Sequence, residues 1–365
     1  MADRSGITRR EILTGAASAA AAVSAGAIAS CFPGVGGEWP PAAPPEQCVS
    51  VGDDAGTAPT PLEGSSQVVD IQRDDSLAQV TTASGGKVWQ PQPEVVQAMV
   101  DSALSTLAGG VANPWPTLLP TYSAGTRIGL KVNCLNSRLP TSPAVVRAII
   151  ASLLTNLNMD PANIVVWDRR LDELTNAGKY TSEDLQGARL VGTVASTTDA
   201  SGPGYSTTAC AAVEGASPRL SRILTQQTDI TINCPVLKSH GVSGVTAALK
   251  NIYGIIDIPS TYHSNLPVAL PALYNLPAIR NHIKLTIVDA LQAVTLRDTQ
   301  DPPDATPKRI FVATDPLALD RYALDLVNQL RATRSVAPLQ GAYLGWLDRG
   351  YELGLGTKTY NLTQL

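Results

Sequence analysis

The sequence has few charged and few aromatic residues, and both shortages limit the classes of protein to which it can belong. Charged residues make up 16% of the 365 residues and aromatic residues 5%, whereas apolar residues make up 44%. A chain of this apolar content is globular rather than disordered. It contains no lysine- or arginine-rich run and its formal charge is −4, so we expect no nucleic acid among its partners.

Cysteine and histidine are also scarce, and their spacing predicts no bound metal. The five cysteines include no Cys-x-x-Cys pair, so a zinc or ferredoxin-type site has no local support. Among the three histidines, His263 and His282 lack a partner at ligand spacing. The cofactor is left unknown. Buried free thiols are expected at Cys134 and Cys234, with a disulfide among the following four as the alternative: Cys48, Cys134, Cys210 and Cys234.

The beginning of the chain is predicted to be an export signal. Residues 8–13, TRREIL, resemble the twin-arginine motif, and a weakly apolar stretch without basic residues follows. Residues 28–31, IASC, resemble a bacterial lipoprotein cleavage box in which Cys31 carries the lipid. The alternative is ordinary cleavage after Ala27, with Cys31 incidental. We therefore expect a periplasmic or cell-envelope protein, anchored to the membrane through a lipid on Cys31.

The rest of the chain is predicted to be a linker and one α/β domain. A Pro- and Gly-rich segment follows the signal of residues 1–30 and extends over residues 31–66. The domain is assigned to residues 67–365, with a β-rich insertion near residues 188–220.

Alternating strand and helix patterns predict a mainly parallel sheet with helices on both faces. Residues 127–133 form a strand pattern, and a helix pattern follows in which Ser142 is the N-cap and Pro143 the first residue. A strand ending at Asp168 completes a β–α–β unit. Further strands are predicted over residues 229–233 and 284–290 and within residues 309–316, and helices over residues 244–254 and 315–330.

Polar residues are concentrated where these strands end. Because ligands bind beyond the carboxyl ends of strands in open α/β sheets, we expect a site there. The segment over residues 235–243 should also bring backbone amides of a helix N-terminus to an anion. The residues predicted at this edge are Asn133, Cys134, Asp168, Asn233 to His240, Asp289, Thr314 and Asp315.

Roles are assigned from residue chemistry. Catalysis is assigned to His240, Lys238 and Asp289, because a histidine near its ordinary pKa transfers protons in either direction at neutral pH. Binding of a small anionic substrate is assigned to Asn133, Asp168, Lys250 and Asn251. The alternatives are structural: Lys250 as a surface lysine, Asp315 as a helix cap, and the asparagines as partners of backbone groups.

Five segments in the same order resemble the domain-of-unknown-function 362 family. The central one is DITINCPVLKSHGVSGVTAALKNIYG, residues 229–254, which is accompanied by LKVN with TSPAVVRAII, IVVWD, IVDALQAV and VATDPLALD. The resemblance implies a shared α/β fold but no particular reaction. Some relatives carry ferredoxin-like cysteine motifs, which this chain lacks.

A fainter similarity is to the nickel-pincer lactate racemase family. In that family a lysine ten residues after a histidine holds the cofactor, which is the spacing of His240 and Lys250, and residues 136–143 resemble its early polar loop. The resemblance implies an acid/base role for His240 and an anchoring role for Lys250. No second histidine matches that family's catalytic partner, so its reaction is not transferred.

The sequence thus predicts an exported enzyme that acts on a small anionic substrate by acid/base chemistry. The alternative is a non-catalytic envelope lipoprotein that binds a ligand or forms part of a cell-envelope complex.

Replacing both Arg9 and Arg10 with lysine should leave the precursor in the cytoplasm, because the motif is recognised by a receptor rather than by its charge. Cys31→Ala should move the protein from the membrane to the soluble envelope fraction. Cell fractionation measures both. Normal export of the double lysine variant, or a Cys31→Ala protein that stays on the membrane, would contradict the respective assignment.

Overall fold

The computed structural model describes residues 60–365. The predicted signal, most of the linker, Cys31 and Cys48 therefore lie outside the described residues. Within residues 60–365, no helix combines the length and the apolar character needed to cross a membrane.

Twelve strands and nine α-helices occur in this part of the chain. The strands are β1 (Ser65–Gln72), β2 (Leu77–Thr81), β3 (Lys87–Pro91), β4 (Ile128–Lys131), β5 (Ile164–Arg170), β6 (Arg189–Val194), β7 (Ile230–Asn233), β8 (Val236–His240), β9 (Gly244–Thr246), β10 (Ile283–Val294), β11 (Arg309–Ala313) and β12 (Thr359–Gln364). The helices are α1 (Pro93–Leu107), α2 (Trp115–Leu118), α3 (Pro143–Leu157), α4 (Leu171–Glu173), α5 (Ser182–Leu185), α6 (Leu266–Tyr274), α7 (Pro277–Arg280), α8 (Pro316–Ala332) and α9 (Trp346–Glu352).

The main sheet has the order β12-β1-β11-β10-β7-β4-β5-β6, with β8 continuing along β10 and β9 pairing with β8. Strands β6, β5, β4, β7 and β10 are parallel, as is β8 to β10. All four residues of β4 and of β7 are buried, which shows that both faces of the sheet are covered there. The predicted mainly parallel α/β fold is confirmed.

Two helix starts follow from their sequences as predicted. The Ser142 hydroxyl accepts the Ala144 amide at 3.3 Å and begins α3, and Pro143 occupies the first helical position. The Asp315 carboxylate accepts the Leu317 and Ala318 amides at 2.9 Å each and begins α8.

The strand before α8 has the opposite direction to its neighbours, which corrects one prediction. β11 pairs antiparallel with both β10 and β1. Thr314 and Asp315 therefore lie at the amino edge of the parallel strands, away from the other predicted site residues. There the second oxygen of Asp315 accepts the Ser66 hydroxyl at 2.6 Å and the Thr357 amide at 2.8 Å. Asp315 thus connects β1, α8 and the turn before β12.

Residues 244–254 do not form the predicted helix. They form β9 and a 3₁₀ turn over Lys250–Gly254, because the β8–β9 hairpin pairs Lys238 with Thr246. Gly244 adopts φ +75° at the hairpin, a conformation that favours glycine. The Thr246 hydroxyl also donates to the Lys238 carbonyl at 3.1 Å, which stabilises the extended backbone.

The segment expected to be an insertion begins within the main sheet. Arg189–Val194 is β6, which pairs with β5. The following residues, up to Ser221, contain isolated bridges such as Val213 with Ala216.

Asp315→Ala should lower the free energy of unfolding by about 2 kcal/mol, because it removes an N-cap and leaves buried donors unpaired. Urea denaturation measures the change. Asp160→Ala is the control, because Asp160 caps a short exposed turn through a single amide, that of Ala162. An equally small loss in both variants would contradict the connecting role of Asp315.

Candidate functional site

The cavity begins where the sheet divides. The pairing of β4 with β7 ends at Lys131 and Asn233. The next strand, β8, pairs with β10 and not with β4. Pro235 stands at this point, and its carbonyl accepts the Asp289 amide of β10 at 2.9 Å. The divergence of β4 from β8 leaves a cavity of about 390 Å³ at the carboxyl ends of the parallel strands. This is the edge at which the sequence predicted a site.

A buried ion pair forms one wall of the cavity. The Lys131 ammonium lies 2.7 Å from Asp168 Oδ1 and also donates to the Val132 carbonyl. Asp168 Oδ2 accepts the Cys134 amide at 2.8 Å. A Cβ atom on Gly254 would lie 2.8 Å from both ionic groups, so only glycine fits against the pair. The carboxylate of Asp168 is thus neutralised by Lys131 in the cavity wall.

Asparagine side chains connect this wall to Lys238. The Lys238 ammonium donates to Asn133 Oδ1 at 2.9 Å, and Asn133 donates to Asn251 Oδ1 at 3.0 Å. Asn251 in turn donates to Asn233 Oδ1 at 2.8 Å and to the Lys131 carbonyl. Each amide orientation is fixed by its neighbour, so Asn133 presents an oxygen to Lys238.

Lys250 lies over an aromatic ring. Its ammonium nitrogen is 3.5 Å from the ring centroid of Tyr253, and it has no hydrogen-bond or ion-pair partner within residues 60–365. Of the three acidic side chains that line the cavity, Asp168 is paired with Lys131 and Glu173 with Arg170, whereas Asp298 attracts Lys250 without forming an ion pair. Four basic side chains line the same cavity, namely Lys131, Arg169, Lys238 and Lys250. The cavity therefore has an excess of positive charge, which favours an anionic ligand.

Both unbalanced lysines are easier to deprotonate than an ordinary lysine. Burial lowers the pKa of Lys238 to about 8 and that of Lys250 to about 7. Only 2% of Lys238 is exposed, so its charge depends on the cavity contents rather than on bulk water. An anion bound between the two ammonium groups would raise both pKa values.

His240 is held in a single tautomer. Its Nδ1 accepts the backbone amides of Val242 at 3.0 Å and of Ser243 at 3.1 Å, so Nδ1 carries no proton and Nε2 does. Burial, followed by the charge of Lys250, lowers the pKa of His240 to about 4. The expected pKa near the ordinary value is therefore corrected. The expected anion site at a helix N-terminus is also corrected, because these amides bind the imidazole.

His263 is held in the opposite tautomer. Its Nδ1 lies 2.9 Å from the Pro259 carbonyl, which can only accept, so Nδ1 carries the proton and Nε2 has a free lone pair. The His240 and His263 ring centroids are 5.9 Å apart, and both residues line the cavity. Burial, followed by the charge of Lys250, lowers the pKa of His263. One cavity therefore contains a neutral donor imidazole and a neutral acceptor imidazole.

Asp320 of α8 holds the segment that carries Lys250 and Asn251. Its two carboxylate oxygens accept the Ala248 amide at 2.6 Å and the Leu249 amide at 2.9 Å. The carboxyl group is buried, and burial raises its pKa to about 7. This contact replaces the helical hydrogen bonds that the sequence pattern predicted for the segment.

Asp289 is not brought to the cavity. It lies within the twelve-residue strand β10, and its carboxylate accepts the Ser142 amide at 2.7 Å and the Leu291 amide at 3.1 Å. Burial raises its pKa to about 6. The predicted grouping of Asp289 with His240 is corrected, because the strand extends five residues past it and the carboxylate supports the start of α3.

Three residues of the site were not predicted. Lys131 could have been noticed as a charged residue in an otherwise apolar strand. His263 is separated from His240 by irregular backbone, and Asp320 lies on the buried face of α8, so no sequence period links them to the cavity. Cys134 and Cys234 are buried free thiols, one of the two expected alternatives.

The family comparison gives one match. The model for a domain of unknown function, DUF362, matches residues 128–325, more than half of the chain. The chain belongs to the DUF362 family. The DUF362 region contains every residue that lines the cavity and excludes β1, the β2–β3 hairpin and β12.

Other comparisons add little to the DUF362 assignment. A crystal structure of a protein from Thermotoga maritima is similar to 66% of this chain at 14% identity, with a TM-score of 0.41, and the match covers 59% of that protein. No curated protein matches the chain. Within residues 60–365, no group of three or more His, Cys, Asp or Glu side chains is arranged to hold a metal ion.

Sulfate affinity should fall at least tenfold between pH 6 and pH 9, because an anion binds the protonated lysines and their pKa values are about 7 and 8. Sulfate does not titrate in this range. Isothermal titration calorimetry measures the affinity.

Lys250→Met should remove the part of this pH dependence near pH 7. Lys308→Met is the control, because the Lys308 ammonium donates to the Asp74 carbonyl and does not line the cavity. A sulfate affinity that is unchanged from pH 6 to pH 9 would contradict a role for the two cavity lysines.

Proposed function

We propose that the cavity binds a small anionic ligand and catalyses proton transfer on it, with His263 as the base and His240 as a neutral hydrogen-bond donor. The observation that carries the proposal is the pair of opposite tautomers in one cavity. A single ligand within reach of both rings would meet a lone pair on one side and an N–H group on the other.

Ligand binding is assigned to the cationic groups. Lys238 and Lys250 attract a carboxylate or phosphate, and Asn133 limits the position of Lys238 through its hydrogen bond. Neither lysine forms an ion pair among the described residues, although Asp298 attracts Lys250 from the cavity wall, so the ligand supplies further negative charge. Binding therefore also secures the protonated form of both lysines.

The proposed step moves one proton. The Nε2 lone pair of His263 removes a proton from the ligand carbon next to a carbonyl or carboxyl group, and the electrons of that C–H bond move to form an enolate. The His240 Nε2–H group hydrogen-bonds the enolate oxygen, as neutral imidazoles do in other enzymes. The His263 imidazolium then returns the proton to carbon, so atoms and charge balance.

We also propose that the protein is located in the cell envelope. Export by the twin-arginine route and a lipid on Cys31 would place the cavity in the cell envelope. Cys210 is disulfide-bonded, and disulfides persist in such oxidising compartments.

One observation favours the non-catalytic alternative. Neither His240 nor His263 has a carboxylate hydrogen-bonded to it within residues 60–365, so neither ring is strengthened as a base. A ligand-binding envelope protein would need the same lysines and asparagines but no proton transfer.

Selective ¹⁵N-histidine labelling tests the tautomers, because the chain has three histidines. At pH 7, NMR should show neutral rings with the proton on Nε2 of His240 and on Nδ1 of His263. His282 is the internal reference, since its Nε2 lies 3.2 Å from the Thr228 hydroxyl. The same tautomer in His240 and His263, or a charged His240 at pH 7, would contradict the proposal.

Deuterium exchange from D₂O into a panel of small 2-oxo and 2-hydroxy carboxylates tests the reaction. His263→Gln should abolish exchange, because it removes the base, whereas His240→Gln should slow it by about 10²-fold or more. Thermal unfolding and sulfate binding should change little in both variants. Ligand binding without exchange would favour the non-catalytic alternative.

A further inference from the structure

The mouth of the cavity exposes apolar side chains. Leu135 of the β4–α3 connection is 52% exposed and Val242 of the β8–β9 turn is 40% exposed, and both line the cavity. Large apolar side chains are exposed at only eight positions among residues 60–365, and these two share one concave site. Apolar surface beside a ligand cavity is typical of a ligand-binding surface rather than of ordinary exposure.

The cavity is also larger than an anionic group. Its volume of about 390 Å³ corresponds to about 13 water molecules at about 30 Å³ each. A carboxylate or phosphate held by Lys238 and Lys250 would fill a small part of it. The remaining wall includes the buried apolar side chains of Val236 and Ala247.

From these observations we infer that the ligand is an anionic amphiphile. A carboxylate or phosphate head group lies against Lys238 and Lys250, and an apolar body of several carbon atoms extends to the mouth and covers Leu135 and Val242. This inference rests on the proposed anion-binding function and adds the chemical class of the ligand. Burial of the apolar body removes the surface of both side chains from water, which stabilises the complex.

Calorimetric titration of the full chain with acetate, butyrate, hexanoate and octanoate tests the inference. The affinity should rise about fourfold for each added methylene group, the ratio that corresponds to about 0.8 kcal/mol per buried CH₂. Hexanol should bind at least tenfold more weakly than hexanoate, because it lacks the charge. Inorganic phosphate and hexyl phosphate show which head group is preferred.

Two substitutions locate the apolar contact. Leu135→Ser and Val242→Ser should each weaken octanoate binding several-fold and leave acetate binding unchanged. Val88→Ser is the matched control, because Val88 on β3 is 48% exposed but does not line the cavity. If all three substitutions changed octanoate binding equally, the ligand's apolar body would not lie against Leu135 and Val242.

The titrations also separate this inference from the proposed function. Equal affinities for acetate and octanoate would overturn the amphiphile and leave the proposed anion binding in place. Equal affinities for hexanol and hexanoate would instead contradict the anion binding on which the inference rests. Conversely, His263→Gln should retain the chain-length dependence even though it loses exchange. If alkanoate affinity no longer depended on chain length in His263→Gln, the apolar contact would not be independent of the proposed base, and the inference would be wrong.

Discussion

The division of the sheet at Pro235 is the constraint on which the rest of the structure depends. Proline has no amide hydrogen, so it cannot donate to a neighbouring strand, and its carbonyl bonds to β10. β8 therefore follows β10 while β4 ends beside β5. β4 is paired with β7 up to Asn233, but it is not paired with β8, which comes next in the chain. Both the cavity and the placement of Lys238 and His240 in its wall result from this separation of β4 from β8.

Apart from the Lys131–Asp168 ion pair, the hydrogen bonds around the cavity fix side chains and backbone rather than neutralise charges. Asp168 pairs with the Lys131 ammonium, and Asp320 accepts two backbone amides. The Nδ1 lone pair of His240 accepts two further backbone amides. Lys238 and Lys250 are left with an amide oxygen and an aromatic ring, respectively. Burying these charges without an ion-pair partner costs stability, and strongly shifted pKa values of this kind are concentrated at functional sites.

The parts of the fold that sequence could predict are those that depend on local chemistry. Ser142-Pro143 and Asp315-Pro316 specify helix starts, and runs such as residues 128–131 specify buried strands. The direction of β11 could not be predicted, because a strand pattern is the same in both directions. The β8–β9 hairpin was missed because Asp320, distant in sequence, binds the amides of a segment with a helical pattern. His263 was missed for a similar reason, because it is distant in sequence from His240 and only the fold brings the two rings together.

The connection made by Asp315 fixes the place at which the chain enters the main sheet. Ser66, at the start of β1, is bonded to Asp315 at the amino edge of the parallel strands, and the cavity opens at the carboxyl edge. The described chain therefore enters the main sheet at the edge opposite the cavity, and β1 is held there by a residue that does not line the cavity wall.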